Sequence, residues 1–229
     1  MPALNEESTI AQVVTSARNL GFEVLVVDDG SSDKTSAKAC EAGAHLLELS
    51  MNLGVGGALQ SAFNYAIRNG FEAVIQLDAD GQHPVEAIPR LIENANQTRA
   101  DIVLASRFTH ADNRMTVNRI RKFAMSILQV VASRACRTKI TDSSSGFRLI
   151  RQPLLGHFAK NFPSHYLGDT FEALVVSGRK KYQVSEIPAA FRDRTHGQSS
   201  ASKRAAILLI FRALVVTLFG LHFQLPKKI

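Results

Sequence analysis

Asp78 and Asp80 stand two residues apart at the end of an apolar run over 73–78. In an extended segment alternate side chains leave the same face, so both carboxylates can reach one cation or its ligands. Hard oxygen donors of this kind select Mg²⁺ or Mn²⁺. An EF-hand is excluded, because counting from Asp78 the places that need Gly and Glu hold His83 and Pro89. A solvated turn with a helix cap is the lesser rival account of the same two carboxylates. Gly54, Gly56 and Gly57 form a second cluster. Leu59 stands where the third glycine of G-x-G-x-x-G belongs and no G-K-[ST] occurs, so neither a dinucleotide fingerprint nor a P-loop is present. What remains is a glycine turn before a helix, able to bring backbone amides to a ligand or simply to pack tightly. Asp28 and Asp29, followed by Gly30, Ser31, Ser32 and Asp33, offer acceptors for hydroxyls or base edges, or caps for the next helix. Arg192, Arg194, Gly197 and Ser199 make a late basic loop that could clamp a diphosphate or lie solvated.

The elements that must position these groups alternate along the chain. Apolar runs at 23–28, 45–49, 73–78 and 101–106 read as buried strands. Helical patterns at 34–42, capped by Ser32 or Asp33, at 57–69, and at 85–97 behind Pro84 lie between them. This is a βαβ series and predicts an α/β fold with a doubly wound, mostly parallel sheet. Ligands of such sheets bind outside the carboxyl ends of the strands, so the three acidic and glycine clusters should converge. Beyond 106 come a basic helical stretch over 117–134, the segment 143–150, a helix near 170–177 and a strand over 182–191.

With 229 residues, 45% hydrophobic and 21% charged, the chain can bury a sizeable core, and disorder and low-complexity classes are excluded. The net charge of +7 favours an anionic partner. Nucleic acid is set aside: no Trp occurs, and the basic residues Arg114, Arg119, Arg121 and Lys122 are not interleaved with aromatics. Cys40 and Cys136 give neither a disulfide framework nor a cysteine zinc site, so a reducing, cytoplasmic compartment is expected. The opening residues lack the basic and apolar regions of a secretion signal. Residues 205–221 are almost wholly apolar, interrupted by Arg212 and Thr217 and flanked by Lys203, Arg204, Lys227 and Lys228. As a helix they would span about 25 Å, short of a hydrocarbon core of about 30 Å. A C-terminal apolar helical segment lying in an anionic headgroup region is therefore expected, ahead of a spanning helix or a core or dimer helix.

In this order the segments resemble the family 2 nucleotide-sugar glycosyltransferases, and within them the polyprenyl-phosphate, dolichol-phosphate mannosyltransferase-like branch. The resemblance covers nearly the whole chain. Pro2-Ala3-Leu4-Asn5-Glu6 is similar to P-x-x-N-E, Asp28-Asp29-Gly30-Ser31 to the nucleoside-binding strand end, and Asn52 to Ala58 to N-x-G-x-G-x-A. Asp78-Ala79-Asp80-Gly81-Gln82-His83-Pro84 resembles the D-A-D-x-Q-H-P metal motif. Ser145-Gly146-Phe147-Arg148 resembles S-G-F-R beside the acceptor site, and Arg194-Thr195-His196-Gly197-Gln198-Ser199 resembles R-x-x-G-x-S, with Ser200 where relatives often carry Lys. The resemblance implies a fold of the nucleotide-diphospho-sugar transferase type, with a catalytic domain over 1–202 and an amphipathic, interfacial segment over 203–229. It also implies a strand immediately before Pro2, so a central strand is expected to be missing or to lie upstream of Met1.

The roles that the resemblance implies follow residue by residue. Pro2, Leu4, Glu6 and Asp29, with Asn52, Gly54 and Gly57, would bind the donor. Asp80 and Gln82 would coordinate Mg²⁺ or Mn²⁺, Asp78 would orient the donor ribose and sugar, and Arg194 would neutralise the diphosphate. Ser145, Gly146 and Arg148 would line the acceptor side. Asp169 stands where hydroxyl-acceptor relatives keep an acidic base, but the glutamate that should precede it is Gly168. The implied activity is inverting, metal-dependent transfer of a sugar from a UDP- or GDP-linked donor to a polyprenyl phosphate. Its implied place is the inner face of the cell membrane, as a peripheral protein; whether the chain forms a homo-oligomer is left open. A saccharide hydroxyl acceptor and an idle sugar-nucleotide or membrane-binding module are the rival readings.

Overall fold

The computed structural model of the chain describes residues 1–108, 119–163 and 168–192, so the expectations placed on Arg194, its loop and 205–221 lie outside the described residues. Among the described residues no helix is long and apolar enough to cross a membrane.

The first half alternates as expected: β1 (Pro2–Ala3), α1 (Ile10–Asn19), β2 (Leu25–Asp28), α2 (Thr35–Glu41), β3 (His45–Glu48), α3 (Gly54–Arg68) and β4 (Ala73–Gln76). A 3₁₀ turn at Val85–Ala87 then leads into α4 (Ile88–Thr98) and β5 (Ile102–Ser106). The second half adds α5 (Arg119–Cys136), β6 (Arg148–Arg151), α6 (Leu154–Asn161), α7 (Gly168–Arg179) and β7 (Val184–Pro188). Helix α1 has no counterpart in the expected elements. It forms because Ile10, Val13, Val14 and Ala17 fall on one face and are buried. Helix α3 starts at Gly54 rather than at 57, so the glycine cluster is its first turn and not a separate loop before it.

Strands β1, β2 and β3 form a parallel sheet in that order, and β4, β6, β5 and β7 form a second one. Strand β7 runs parallel to β5, while β6 runs antiparallel to both β4 and β5. The expected parallel sheet therefore carries one reversed strand. The reversal matters for the site, because β6 brings its entry rather than its exit to the edge where β4 and β5 end.

Apolar residues on the two faces of the strands fill separate cores, as both faces of a doubly wound sheet require. On β5, Val103 and Ala105 join the core under α1 and α4, whereas Ile102 and Leu104 join the one under α3, α5, α6 and α7. Strand β1 holds only two residues. The Met1 carbonyl accepts from Val27 N–H at 2.8 Å, and the Met1 amine donates to the Leu25 carbonyl at 2.7 Å. Between the two half-sheets lies a cavity of about 380 Å³, lined by Met1, Val24, Leu25, Phe63, Val74 and Ile75 among others.

Candidate active site

The loops that leave β1 and β2 are stitched together by side chains. Asn5 adopts φ 55°, a left-handed conformation that Asn tolerates. Its N–H donates to Ser31 Oγ at 2.9 Å and its Oδ1 accepts from Ser32 N–H at 2.8 Å. Glu6 N–H donates to Thr35 Oγ1 at 2.8 Å. Asp28 Oδ1 accepts from Ser31 N–H at 2.8 Å, and the Ser36 hydroxyl donates to Oδ2. The Asp28 carboxylate thus holds its own loop, as a helix cap does. Asp29 reaches further. Its N–H donates to the Ala3 carbonyl at 2.9 Å while its Oδ1 accepts from Leu53 N–H at 2.6 Å. One residue therefore joins the exits of β1 and β2 to the start of α3. Pro2, Leu4 and Glu6 lie on the first of these segments, and Asn52, whose Oδ1 accepts from Gly54 N–H at 3.0 Å, lies on the last. Gly57 packs tightly, since a Cβ there would come within 2.5 Å of the Leu53 Cβ.

Past β4 the strand alternation continues, with Leu77 and Ala79 buried and Asp78 and Asp80 on the opposite side. Gly81, at φ 77°, then reverses the chain, so that Gln82 N–H donates to Asp80 Oδ1 at 3.0 Å. The Asp80 carboxylate and Gln82 carboxamide are hard oxygen donors in one tight turn and fit a small divalent cation. Among the described residues no group of three or more His, Cys, Asp or Glu is placed to hold a metal ion. A cation at this turn would draw its remaining ligands from phosphate and water, which is how Mg²⁺ is commonly held.

His83 closes the motif. It is buried, with its ring stacked on Phe147 at 5.1 Å and 12° and meeting Phe191 edge-on at 5.2 Å. Asp78 N–H donates to His83 Nδ1 at 3.0 Å, and His83 Nε2 lies 3.4 Å from Asp78 Oδ2. Burial pushes the His83 pKa down, although Asp78 and Asp80 pull it up.

The entry of β6 completes the site from the other side. A Cβ on Gly146 would lie 3.3 Å from Asp78 Oδ2, so the absent side chain is what lets the segments approach. Ser145 and Arg148 are buried beneath this contact at 1% exposure each. Arg148 Nε donates to the Ser145 carbonyl at 2.7 Å and Nη1 to the Asp169 carbonyl at 3.4 Å. Its Nη2 is buried and finds no hydrogen-bond partner among the described residues. Burial pushes Arg148 down to about 10 against the pull of Asp169, Asp142 and Asp78. Asp169, buried at the start of α7, moves upward: burial raises it, Arg148 opposes, and Asp78 adds to the rise. Asp78, Gly146, Arg148 and Asp169 are thus brought together, whereas Arg194 lies outside the described residues.

Sequence reasoning missed Arg107, Asp142 and Glu186. Arg107 Nε and Nη2 donate to the two oxygens of Asp142 at 2.7 and 3.0 Å, and Nη2 also donates to Ser144 Oγ at 2.8 Å. Glu186 on β7 accepts from the Thr141 and Asp142 amides, each at 2.8 Å at its nearer oxygen, and from the Thr141 hydroxyl at 3.0 Å. A signal was present for Arg107, which directly follows the run over 101–106 and so stands at a strand's carboxyl end, where ligands of such sheets bind.

Three comparisons bear on this arrangement. The sequence profile described as Glycosyl transferase family 2 matches residues 1–158. The chain is similar to the undecaprenyl-phosphate mannosyltransferase of Micrococcus luteus, 27% identical over 210 residues, covering 88% of this chain and 86% of the relative. It is also similar to the UDP-N-acetylglucosamine–dolichyl-phosphate N-acetylglucosaminyltransferase of Methanococcus voltae, 25% identical and covering 82% of each chain. Among solved structures, glucosyl-3-phosphoglycerate synthase from Mycobacterium tuberculosis, in complex with Mn²⁺, UDP-glucose and phosphoglyceric acid, superposes with a TM-score of 0.69 at 19% identity. That match covers 94% of this chain and 77% of the other, and it establishes the fold.

Proposed function

The chain belongs to glycosyl transferase family 2 and is a nucleotide-sugar glycosyltransferase, and from that premise we propose that it transfers a sugar, with inversion and with a divalent cation, to a polyprenyl phosphate at the cytoplasmic face of the membrane. The observation that carries the reading is the convergence of the Asp78–Gln82 turn, the Gly146 approach and the Arg148–Asp169 pair at one sheet edge. The polyprenyl-phosphate acceptors in the relatives' names support its lipid half.

In this reading Pro2, Leu4, Glu6 and Asp29 hold the nucleoside at the loops Asp29 ties together. Asn52, just before α3, and Gly54 and Gly57 in its first turn border the donor. Asp80 and Gln82 would hold Mg²⁺ or Mn²⁺, whose chemistry is to stabilise charge on the departing diphosphate. Arg194 supplies positive charge to the same leaving group. Asp78 orients the donor sugar. An oxygen of the acceptor phosphate attacks the anomeric carbon from the face opposite the diphosphate: the new carbon–oxygen bond forms as the bond to the diphosphate breaks, inverting that carbon. A phosphate acceptor is already ionised near neutrality and needs no general base. Ser145, Gly146 and Arg148 shape the acceptor side, with buried Arg148 acting through its neighbours.

One observation favours a second reading, a hydroxyl acceptor. Asp169 is a buried carboxyl raised above its ordinary value and electrostatically coupled to Asp78, as a general base would be.

The test pairs a variant with an acceptor panel. Asp80→Asn should abolish transfer in the presence of Mn²⁺ while leaving the melting temperature within a few degrees of wild type, and full activity in that variant would sink the metal assignment. A short polyprenyl phosphate should be glycosylated where a free saccharide is not; the reverse outcome selects the hydroxyl reading. The catalytic unit over 1–202 and the interfacial segment over 203–229 belong to the same proposal, with Lys203, Arg204, Lys227 and Lys228 drawn to anionic lipid. The full chain should sediment with anionic liposomes, and the chain cut after Ser202 should not.

A further inference from the structure

We propose that Glu186 is a positioning residue: from the middle of β7 it suspends the segment 141–146 and thereby sets where Gly146 meets Asp78. Its place on the strand is an unusual one for a carboxylate. Residues two apart on a strand share a face, and on this face Val184 packs against the core under α3, α5, α6 and α7, while Ile187 enters the opposite core. A charge beside such a core is costly unless hydrogen-bond donors meet it. Among the described residues those donors all belong to one dipeptide. Thr141 N–H is shared between Oε2 at 2.8 Å and Oε1 at 3.1 Å, Asp142 N–H donates to Oε1 at 2.8 Å, and the Thr141 hydroxyl donates to Oε2 at 3.0 Å.

That dipeptide opens a turn that closes on itself. Asp142 Oδ1 accepts from Ser144 N–H at 3.3 Å and from the Ser144 hydroxyl at 3.0 Å, and the Asp142 carbonyl accepts from Ser145 N–H at 3.4 Å. Two more bonds reach Thr141: Gln129 Nε2 of α5 donates to its carbonyl at 2.6 Å, and its hydroxyl lies 2.7 Å from Ser106 Oγ. The turn is thus tied internally and hung from its neighbours at its leading end, with Gly146 at the other end, where a Cβ would come within 3.3 Å of Asp78 Oδ2. Releasing the anchor lets Gly146 shift against Asp78 although Glu186 touches neither, and a misplacement of about 1 Å at a reacting centre costs about a hundredfold in rate. The same two strands carry a matched control. Asp101, just before β5, accepts from Gln183 N–H, just before β7, at 2.7 Å, so it makes the same kind of carboxylate–amide bond at the end of the strands remote from the turn.

This role rests on the reading of Ser145, Gly146 and Arg148 as the acceptor side, so its test has one arm that needs no turnover. In amide exchange of the full chain, Glu186→Ala should speed exchange over 141–146 by about tenfold or more, and Asp101→Ala should leave that segment as in wild type. Unchanged exchange in Glu186→Ala, or equal acceleration in Asp101→Ala, overturns the proposal. The kinetic arm uses GDP-mannose or UDP-glucose with Mn²⁺ and a short polyprenyl phosphate. Glu186→Ala should lose roughly tenfold to a hundredfold in kcat and raise the acceptor KM, with the donor KM within about threefold of wild type. Glu186→Gln keeps an oxygen for the two amides and a donor for the Thr141 hydroxyl, and should recover kcat to within about fivefold of wild type. Asp101→Ala should keep wild-type kcat and acceptor KM even where its melting temperature falls as far as that of Glu186→Ala. A glutamine variant as impaired as the alanine one, or losses that follow melting temperature across the set, overturns the proposal. Should Glu186→Ala not fold, Thr141→Val takes its place: it removes the hydroxyl and leaves the amides, should lower kcat about threefold to tenfold, and overturns the proposal if kcat is unchanged. Should wild type turn over neither donor, the functional reading fails, and the exchange arm alone decides whether Glu186 holds the segment.

Discussion

Arg107 and Arg148 each face an aspartate beside the same site, yet the two pairs stand in opposite electrostatic states. Arg107 engages both carboxylate oxygens of Asp142 through a planar fork. Burial alone would push the Asp142 carboxyl up, but the Arg107 bonds and charge outweigh it and hold it below its ordinary value, while Arg107 itself is raised. Arg148 is buried more deeply and gives its bonds to the carbonyls of Ser145 and Asp169 instead of to a carboxylate. Burial therefore prevails in that pair, lowering Arg148 and raising Asp169. The difference teaches that completeness of pairing, more than depth, decides whether a buried charge is comfortable. The closed pair, with Glu186 capping the Thr141 and Asp142 amides, is framework. The open pair borders Asp78 from beneath the surface, with Arg148 Nη2 left without a hydrogen-bond partner among the described residues.

The largest expected effect breaks the closed pair. Asp142→Asn leaves the Arg107 guanidinium partly buried without its counter-charge and should cost about 3 kcal/mol in urea denaturation at neutral pH. Arg148→Met removes a charge that burial already disfavours and keeps much of its volume, so it should cost no more than about 1 kcal/mol while lowering transfer activity. If the two losses are equal, the distinction between the pairs collapses. The smallest effect sharpens the contrast through pH. A carboxyl raised in the fold contributes stability below its unfolded pKa and loses it as pH rises through the folded value, so ionised Asp169 is a burden at neutrality. Asp169→Asn should leave the melting temperature at pH 7 unchanged or slightly higher and reduce the rate by less than about a hundredfold. Its advantage over wild type should vanish on acidification toward the ordinary carboxyl value. Asp142 has the opposite sign: its folded pKa is lowered, so its contribution is present above the unfolded value and lost as pH falls through the folded one. The deficit of Asp142→Asn should therefore shrink only in acid below the ordinary value of 3.8.

Much of the frame was legible because strand ends announce themselves. Apolar runs closing in Asp28-Asp29 and Asp78-Ala79-Asp80 place acids at strand ends whatever the sheet order, and in the structure Asp28 closes β2 and Asp78 stands two residues past the end of β4. The direction of β6 was not legible, since four residues pair equally well either way until β4 and β5 are in place. Helix α1 escaped because its apolar face is short and lies among polar residues. The Arg107–Asp142–Glu186 cluster joins residues far apart in sequence, and no local spacing encodes a contact that only the folded sheet creates. Arg148 illustrates the converse: a motif places it at the acceptor side, but only the packing reveals that it lies beneath the surface.

The division of the described strands into two ladders has a consequence for motion. Among the described residues no backbone ladder joins the sheet of β1, β2 and β3 to that of β4, β6, β5 and β7, and side chains and flanking helices meet across the cavity between them. The Asp29 loops ride on one hydrogen-bonded body and the Asp80 turn on the other. A nucleotide that touches both acts as a clamp across the seam, and its binding free energy opposes their separation. If the two bodies part in solution, amide exchange at Ala73 and Val74, the end of β4 away from the Asp78 turn, should slow when the donor binds.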